Sequence, residues 1–241
     1  MKPKFSKTVN AMLYSSFARM LPSVNQISKH YNIDTQNAKV LFVPFADEEN
    51  KYYIALCKQA LCLAGIQKSN INTLSSHTHK NGKFDIIFVS GGNVCRLKDK
   101  LEQIDWFEEI KSRVISGTLY IGDSAGAVLL GKTIEHTLEY EPYSKELSSY
   151  DGLSIIDKGV VVHFSKVRFS GEKKRVIKVK DCYLAHVRQT KFLGKNNFIT
   201  VKNNQAILLK NGKLKNIFFS YGKIKKSVLA ESSKYHKKDT K

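Results

Sequence analysis

No apolar run in this chain reaches the roughly 18 residues that a membrane-spanning helix needs, and no membrane association is expected. The first twenty residues carry lysines but no signal-peptide core, because Tyr14, Ser15, Ser16 and Arg19 interrupt the apolar stretch. A cytoplasmic location is the expectation. Cysteine is scarce, with 4 in 241 residues. Cys57, Cys62, Cys95 and Cys182 lie inside apolar segments without metal-ligand spacing, so reduced thiols and no metal or other cofactor are expected. No recognisable nucleic-acid module, internal repeat or domain linker occurs. Acidic residues are the other shortage: 21 against 40 Lys and Arg, giving a formal charge of +19. Such a balance suits nucleic acid or an acidic surface, or simply lysine bias over a solvated surface. The solvated lysine-biased surface is the expectation, with nucleic-acid contact at most non-specific.

What is present is ordinary globular material, 42% hydrophobic and 25% charged. Short apolar runs alternate with helical patterns. Strands are expected at Ala11–Ser16, Lys39–Pro44, Phe84–Ser90, Thr118–Gly122 and Gly159–Phe164, with helices at Leu21–His30, Asn50–Ala64, Asn93–Leu101, Trp106–Ser116 and Ser124–Leu130. Phe198–Lys202 and Gln205–Lys210 read as short strands, and Asn211–Gly212 as a hairpin turn returning along Leu214–Tyr221. The fold class is therefore α/β: a mostly parallel sheet with helices on both faces and a C-terminal β-hairpin. Residues 1–222 are expected to form a single domain. Residues 223–241 are expected to form a basic, flexible tail.

Gly122–Asp–Ser124–Ala–Gly126–Ala127 carries the chemistry. A serine on a sharp strand-to-helix turn needs small neighbours, because the backbone there is strained and closely packed. This pattern follows a strand (Thr118–Gly122) and opens a helix, which makes Ser124 the candidate nucleophile. The competing reading is a glycine-rich turn with a capping serine. Among 7 histidines, His163 is the candidate base, since its strand would deliver it to the edge of the sheet carrying the elbow. His77, His79, His136, His186 and His236 are the alternatives. Ser90–Gly91–Gly92–Asn93 closes another strand. It reads as an oxyanion hole, Gly92 N–H pairing with that of Ala125, or as a tight turn with Asn93 as helix cap.

These residues resemble the aspartyl dipeptidase (peptidase E) and cyanophycinase family of serine peptidases, with a class I glutamine-amidotransferase-like fold. The resemblance runs in order through Phe88–Asn93 with Leu97, Leu119–Val128, Gly152–Asp157, His163–Phe164 and Asn203–Ile207. It implies Ser124 as nucleophile, His163 as base, and Gly92 with Ala125 as oxyanion hole. It also implies a small peptide substrate with an N-terminal aspartate, whose carboxylate Arg168 or Arg175 would bind. The chain departs from the family in having Asn203 where an acid usually orients the histidine, so Glu139 or Glu141 competes with Asn203 for that role. Val162 stands in place of the proline before the histidine, and Ser165–Lys166 in place of asparagines after it. A catalytically weak or non-catalytic binding module on this fold, or a related amidase, is the alternative function. Monomer and homodimer are both open.

Overall fold

The computed structural model describes residues 9–17, 26–138, 143–163, 198–202, 205–211 and 213–218. Among them, seven strands form one sheet in the order β3-β2-β4-β5-β1-β8-β9. These are β1 (Asn10–Tyr14), β2 (Val40–Val43), β3 (Ile71–Thr73), β4 (Ile86–Val89), β5 (Leu119–Asp123), β8 (Gln205–Lys210) and β9 (Lys213–Phe218). The run from β3 through β1 is parallel, and β8 and β9 add an antiparallel hairpin beside β1. The helices are α1 (Gln26–Tyr31), α2 (Lys51–Leu63), α3 (Val94–Gln103), α4 (Phe107–Ile115) and α5 (Ala125–Leu129). A second, two-stranded parallel sheet pairs β6 (Gly159–Val161) with β7 (Phe198–Thr200). The expected α/β class with its C-terminal hairpin is thus the observed one. Residues 223–241, expected as a tail, lie outside the described residues.

The continuous apolar strands follow from burial on both faces. Along β4, Ile86 and Phe88 pack into one core with Phe42 and Leu61, while Ile87 and Val89 pack into the other with Leu97 and Trp106. Strand alternation therefore feeds two helix-covered layers from one apolar segment. β3 escapes the sequence reading because its three residues sit at the sheet edge with Asn72 and Thr73 exposed, so neither alternation nor an apolar run marks it.

β6 is a correction. The sequence suggests that Gly159–Phe164 runs as a strand to the edge of the elbow's sheet. Instead β6 ends at Val161, pairs with β7 in the smaller sheet and packs against α5. His163 follows it in a left-handed bend at φ 55°. The segment's apolar character comes from packing over α5 rather than from membership of the main sheet.

Candidate active site

Parallel α/β sheets place ligand sites at the carboxyl ends of their strands. Here β4, β5 and β1 are adjacent and in register, Val89 beside Gly122 and Tyr14 beside Asp123. Their continuations therefore emerge together: Ser90–Gly92, Ser124 and Ser15–Phe17. The turn after β5 is tight. Ser124 adopts φ 48° and ψ −106°, a region that non-glycine residues enter only when the surrounding structure enforces it. The enforcement is visible around it. Its N–H is tied to Tyr14 O at 2.9 Å, and its carbonyl accepts from Val128 N at 3.0 Å to start α5. The Tyr120 hydroxyl donates to Gly126 O at 2.6 Å. A side chain at position 126 would place its Cβ 2.3 Å from Val89 O, so only glycine lets α5 come this close to β4.

The serine hydroxyl does not cap α5. Its partner is His163, with Ser124 Oγ and His163 Nε2 3.0 Å apart. The capping alternative is thereby set aside. Ser15 holds the histidine's backbone: its buried hydroxyl accepts the His163 N–H at 2.9 Å and donates to Val201 O at 2.7 Å. Ser15, just after β1, thus joins the main sheet to the exits of both strands of the smaller one. His136, an alternative base, is buried beneath β6, with Nε2 3.0 Å from Val160 O and its ring edge-on to Phe198. His77 and His79 are exposed in a loop, and His186 and His236 lie outside the described residues.

Gly92, after β4, has φ 133° and is pressed against Ala46, where a Cβ would lie 2.4 Å from the carbonyl oxygen. Asn93 then N-caps α3, accepting from Arg96 N at 2.9 Å. The oxyanion and capping readings of this turn are therefore compatible, since one uses the Gly92 N–H and the other the Asn93 side chain. The Ala125 N–H is in the first turn of α5, where backbone donors lack intrahelical acceptors.

Three participants escaped the sequence reading: Asp123, Tyr53 and Ser15. Asp123 is 1% exposed. Its Oδ1 accepts from Phe17 N at 2.8 Å and its Oδ2 from the Tyr53 hydroxyl at 2.6 Å. The Tyr53 oxygen in turn accepts the Gly91 N–H at 2.9 Å. Burial pushes the Asp123 carboxyl above the ordinary carboxylate value, with the Tyr53 and Phe17 hydrogen bonds and the nearby His163 acting the other way. Burial, then the Asp123 charge, pushes the Tyr53 phenol far up, so it keeps its proton and keeps donating. Asn203, Glu139, Glu141, Arg168 and Arg175 all lie outside the described residues. Among the described residues no group of three His, Cys, Asp or Glu is placed to hold a metal ion, and no helix is long and apolar enough to cross a membrane.

The raised Asp123 pKa has a testable sign. A carboxyl that binds its proton more tightly in the folded chain than in the unfolded one stabilises the fold most fully in acid. That contribution is lost as pH rises from the ordinary carboxylate value, about 3.9, through the raised one. The groups facing Asp123 are Tyr53 and Cys57 from α2 and His163 after β6. Asp123→Asn does not titrate, so the stability of wild type relative to this variant should decline as pH rises. Urea unfolding of both proteins across mildly acid to neutral pH reads this, and parallel curves would contradict it.

A parallel sheet presenting a serine on a strained elbow in hydrogen-bond contact with a histidine defines an α/β protein of the nucleophile-elbow type. More specifically, the chain belongs to peptidase family S51, whose family model matches residues 13–217. An uncharacterized peptidase of Listeria monocytogenes is 27% identical over 209 residues, covering 83% of this chain and 94% of its own. Peptidase E of Shewanella putrefaciens is 28% identical over 177 residues, 68% of this chain and 70% of that protein. Among solved structures, a peptidase E candidate from Listeria monocytogenes superposes with a TM-score of 0.68 at 23% identity, covering 88% of this chain and 99% of the other. A peptidase from an acI-B1 Actinobacterium gives 0.56 at 17% identity, covering 89% and 90%. At these identities the two structures speak to the fold alone.

Proposed function

We propose that the protein is a serine peptidase of the aspartyl dipeptidase kind, cleaving small peptides with an N-terminal aspartate. One observation carries the reading: Ser124 sits on a left-handed elbow with its hydroxyl 3.0 Å from His163 Nε2. That spacing is what proton transfer between a nucleophile and its base requires.

In the proposed reaction Ser124 Oγ attacks the scissile carbonyl carbon while its proton passes to His163 Nε2. The carbonyl π pair becomes an oxyanion held by the N–H groups of Gly92 and Ala125. The oxyanion collapses, the C–N bond breaks, and His163 returns the proton to the departing amine. A water then repeats the sequence on the acyl-serine: His163 takes a proton from the water, the hydroxyl adds to the acyl carbon, and Ser124 leaves with that proton. Asn203 takes the role of orienting His163. Its support is local: Val201, two residues earlier, shares the Ser15 hydroxyl with the His163 backbone. Glu139 is the competitor from the segment after α5. Arg168 and Arg175 are proposed for the substrate carboxylate because guanidinium groups bind carboxylates bidentately.

The test couples a covalent probe to a substrate panel. A fluorophosphonate should label the chain at Ser124, and Asp-Leu should be cleaved with a kcat/KM about 10- to 100-fold above that of Ala-Leu, the worth of a hydrogen-bonded charge. Labelling without any preference for aspartate would leave a serine hydrolase of other specificity, such as an amidase. An unlabelled, inactive chain would favour the non-catalytic binding module.

A further inference from the structure

Two separate loops must meet at a fixed distance for the proposed chemistry: the β5 elbow bearing Ser124 and the β4 turn bearing Gly92. Adjacent parallel strands hold each other by backbone bonds only as far as the ladder extends, and here it ends at Val89 and Gly122. Beyond that, each loop departs in its own direction. One side-chain relay reconnects them. Asp123, the last residue of β5, accepts the Tyr53 hydroxyl at 2.6 Å, and the same oxygen receives the Gly91 N–H at 2.9 Å. The relay starts one residue before the serine and ends one residue before Gly92.

The packing leaves little slack. A Cβ on Gly91 would fall 2.7 Å from the Tyr53 hydroxyl and 3.0 Å from Ser124 Cβ, so the turn is wedged between the tyrosine and the serine. Tyr53 is itself set by the start of α2, where Asn50 Oδ1 accepts its N–H at 3.0 Å. The other Asp123 oxygen holds the chain leaving β1, through Phe17 N at 2.8 Å. A single buried carboxylate therefore ties together the exits of β1, β4 and β5, using only donors at both of its oxygens. Burying a carboxylate is costly unless it is hydrogen-bonded. An apolar side chain in its place would leave the Phe17 N–H and the Tyr53 hydroxyl without this acceptor.

We propose that Asp123 and Tyr53 are positioning residues of the reaction, their relay setting the spacing between the Ser124 hydroxyl and the Gly92 N–H. The proposal rests on the reading of Ser124 as nucleophile and Gly92 as oxyanion donor. Neither Asp123 nor Tyr53 is assigned contact with substrate. Tyr53→Phe removes both relay bonds at the cost of one oxygen atom. The Gly91–Gly92 turn then keeps its flanking bonds, Ser90 N–H to Val43 O at 3.0 Å and Asn93 N–H to Ala46 O at 2.9 Å, but loses its tie to the elbow, and misplacement on the ångström scale costs on the order of 100-fold in rate.

The experiment is saturation kinetics of Ser124 phosphonylation by a fluorophosphonate, with amide NMR of glycine-labelled protein alongside. In Tyr53→Phe the limiting rate of labelling should fall about 10- to 100-fold while the half-saturating probe concentration stays put. The Gly91 amide should lose its exchange protection. Tyr53→Phe combined with Asp123→Asn should label no more slowly than Tyr53→Phe alone, because both act through one connection. Should Tyr53→Phe fold poorly, Asp123→Asn carries the same rate test. Labelling of Tyr53→Phe at the wild-type rate, or a full additive loss in the double variant, overturns the relay alone. A wild-type chain that is not labelled at Ser124 overturns the nucleophile reading, and with it this proposal.

Discussion

Ser124→Ala is expected to remove peptidase activity by about four to six orders of magnitude while leaving the fold in place, the usual scale for loss of a catalytic serine. The fold should survive because the hydroxyl caps no helix and its contact is with His163 at the half-buried rim of the site. The backbone tension at the elbow stays, since alanine keeps the Cβ that makes φ 48° unfavourable. Ser124→Gly separates the two contributions. Glycine enters positive φ without that penalty, so relief of strain of about 1–3 kcal/mol opposes the extra chain entropy of glycine, about 0.5–1 kcal/mol. Ser124→Gly should therefore melt above Ser124→Ala, with both inactive. Strain stored where the chemistry happens is what that ordering would report. Thermal melts and turnover of Asp-Leu on rigorously separated variants check it. Wild-type turnover in Ser124→Ala would refute the nucleophile outright.

The parts of this molecule legible in its sequence are those whose physics is local. Phe84–Ser90 and Thr118–Gly122 announce buried strands because both faces of the sheet are covered, and Gly122, Gly126 and Gly92 mark places where backbones touch. Asn50 and Asn93 mark helix starts that the structure shows as side-chain caps. What stayed hidden is made by partners far apart in the chain. The Tyr53–Asp123 bond spans 70 residues, the Phe17–Asp123 bond 106 and the Ser15–Val201 bond 186. No periodicity records such pairings. Asp123 did leave a trace, a carboxylate at the end of an apolar strand where burial demands donors, but within the Gly-x-Ser-x-Gly pattern it occupies the variable position. His163 is instructive differently. The apolar segment before it suggests a strand of the main sheet, yet the histidine arrives from the smaller one and still meets Ser124.

His163→Asn should match Ser124→Ala in its cost to turnover, about four orders of magnitude or more, since a serine without its base is a poor nucleophile at neutral pH. Asparagine is the informative replacement because position 163 has φ 55°, and asparagine is among the few residues that tolerate left-handed backbone. The Ser15 hydroxyl can then keep its bond to the backbone N–H of residue 163, which involves no side-chain atom of the histidine. The smaller sheet should stay docked and the melting temperature should move little. The loss should appear in kcat rather than KM, because the imidazole is assigned proton transfer and not substrate binding. Combining His163→Asn with Ser124→Ala tests whether the two act as one unit: the double variant should be no slower than Ser124→Ala alone. Ser15→Ala supplies the structural counterpart. It removes the anchor that fixes where His163 sits, and it leaves the half-buried His163 N–H to find another acceptor. A drop in kcat with Ser124 and His163 both intact would show that the base must be held in place as well as present. If His163→Asn instead kept wild-type kcat, the proton acceptor would have to be another group, and the 3.0 Å contact to Ser124 would be structural only.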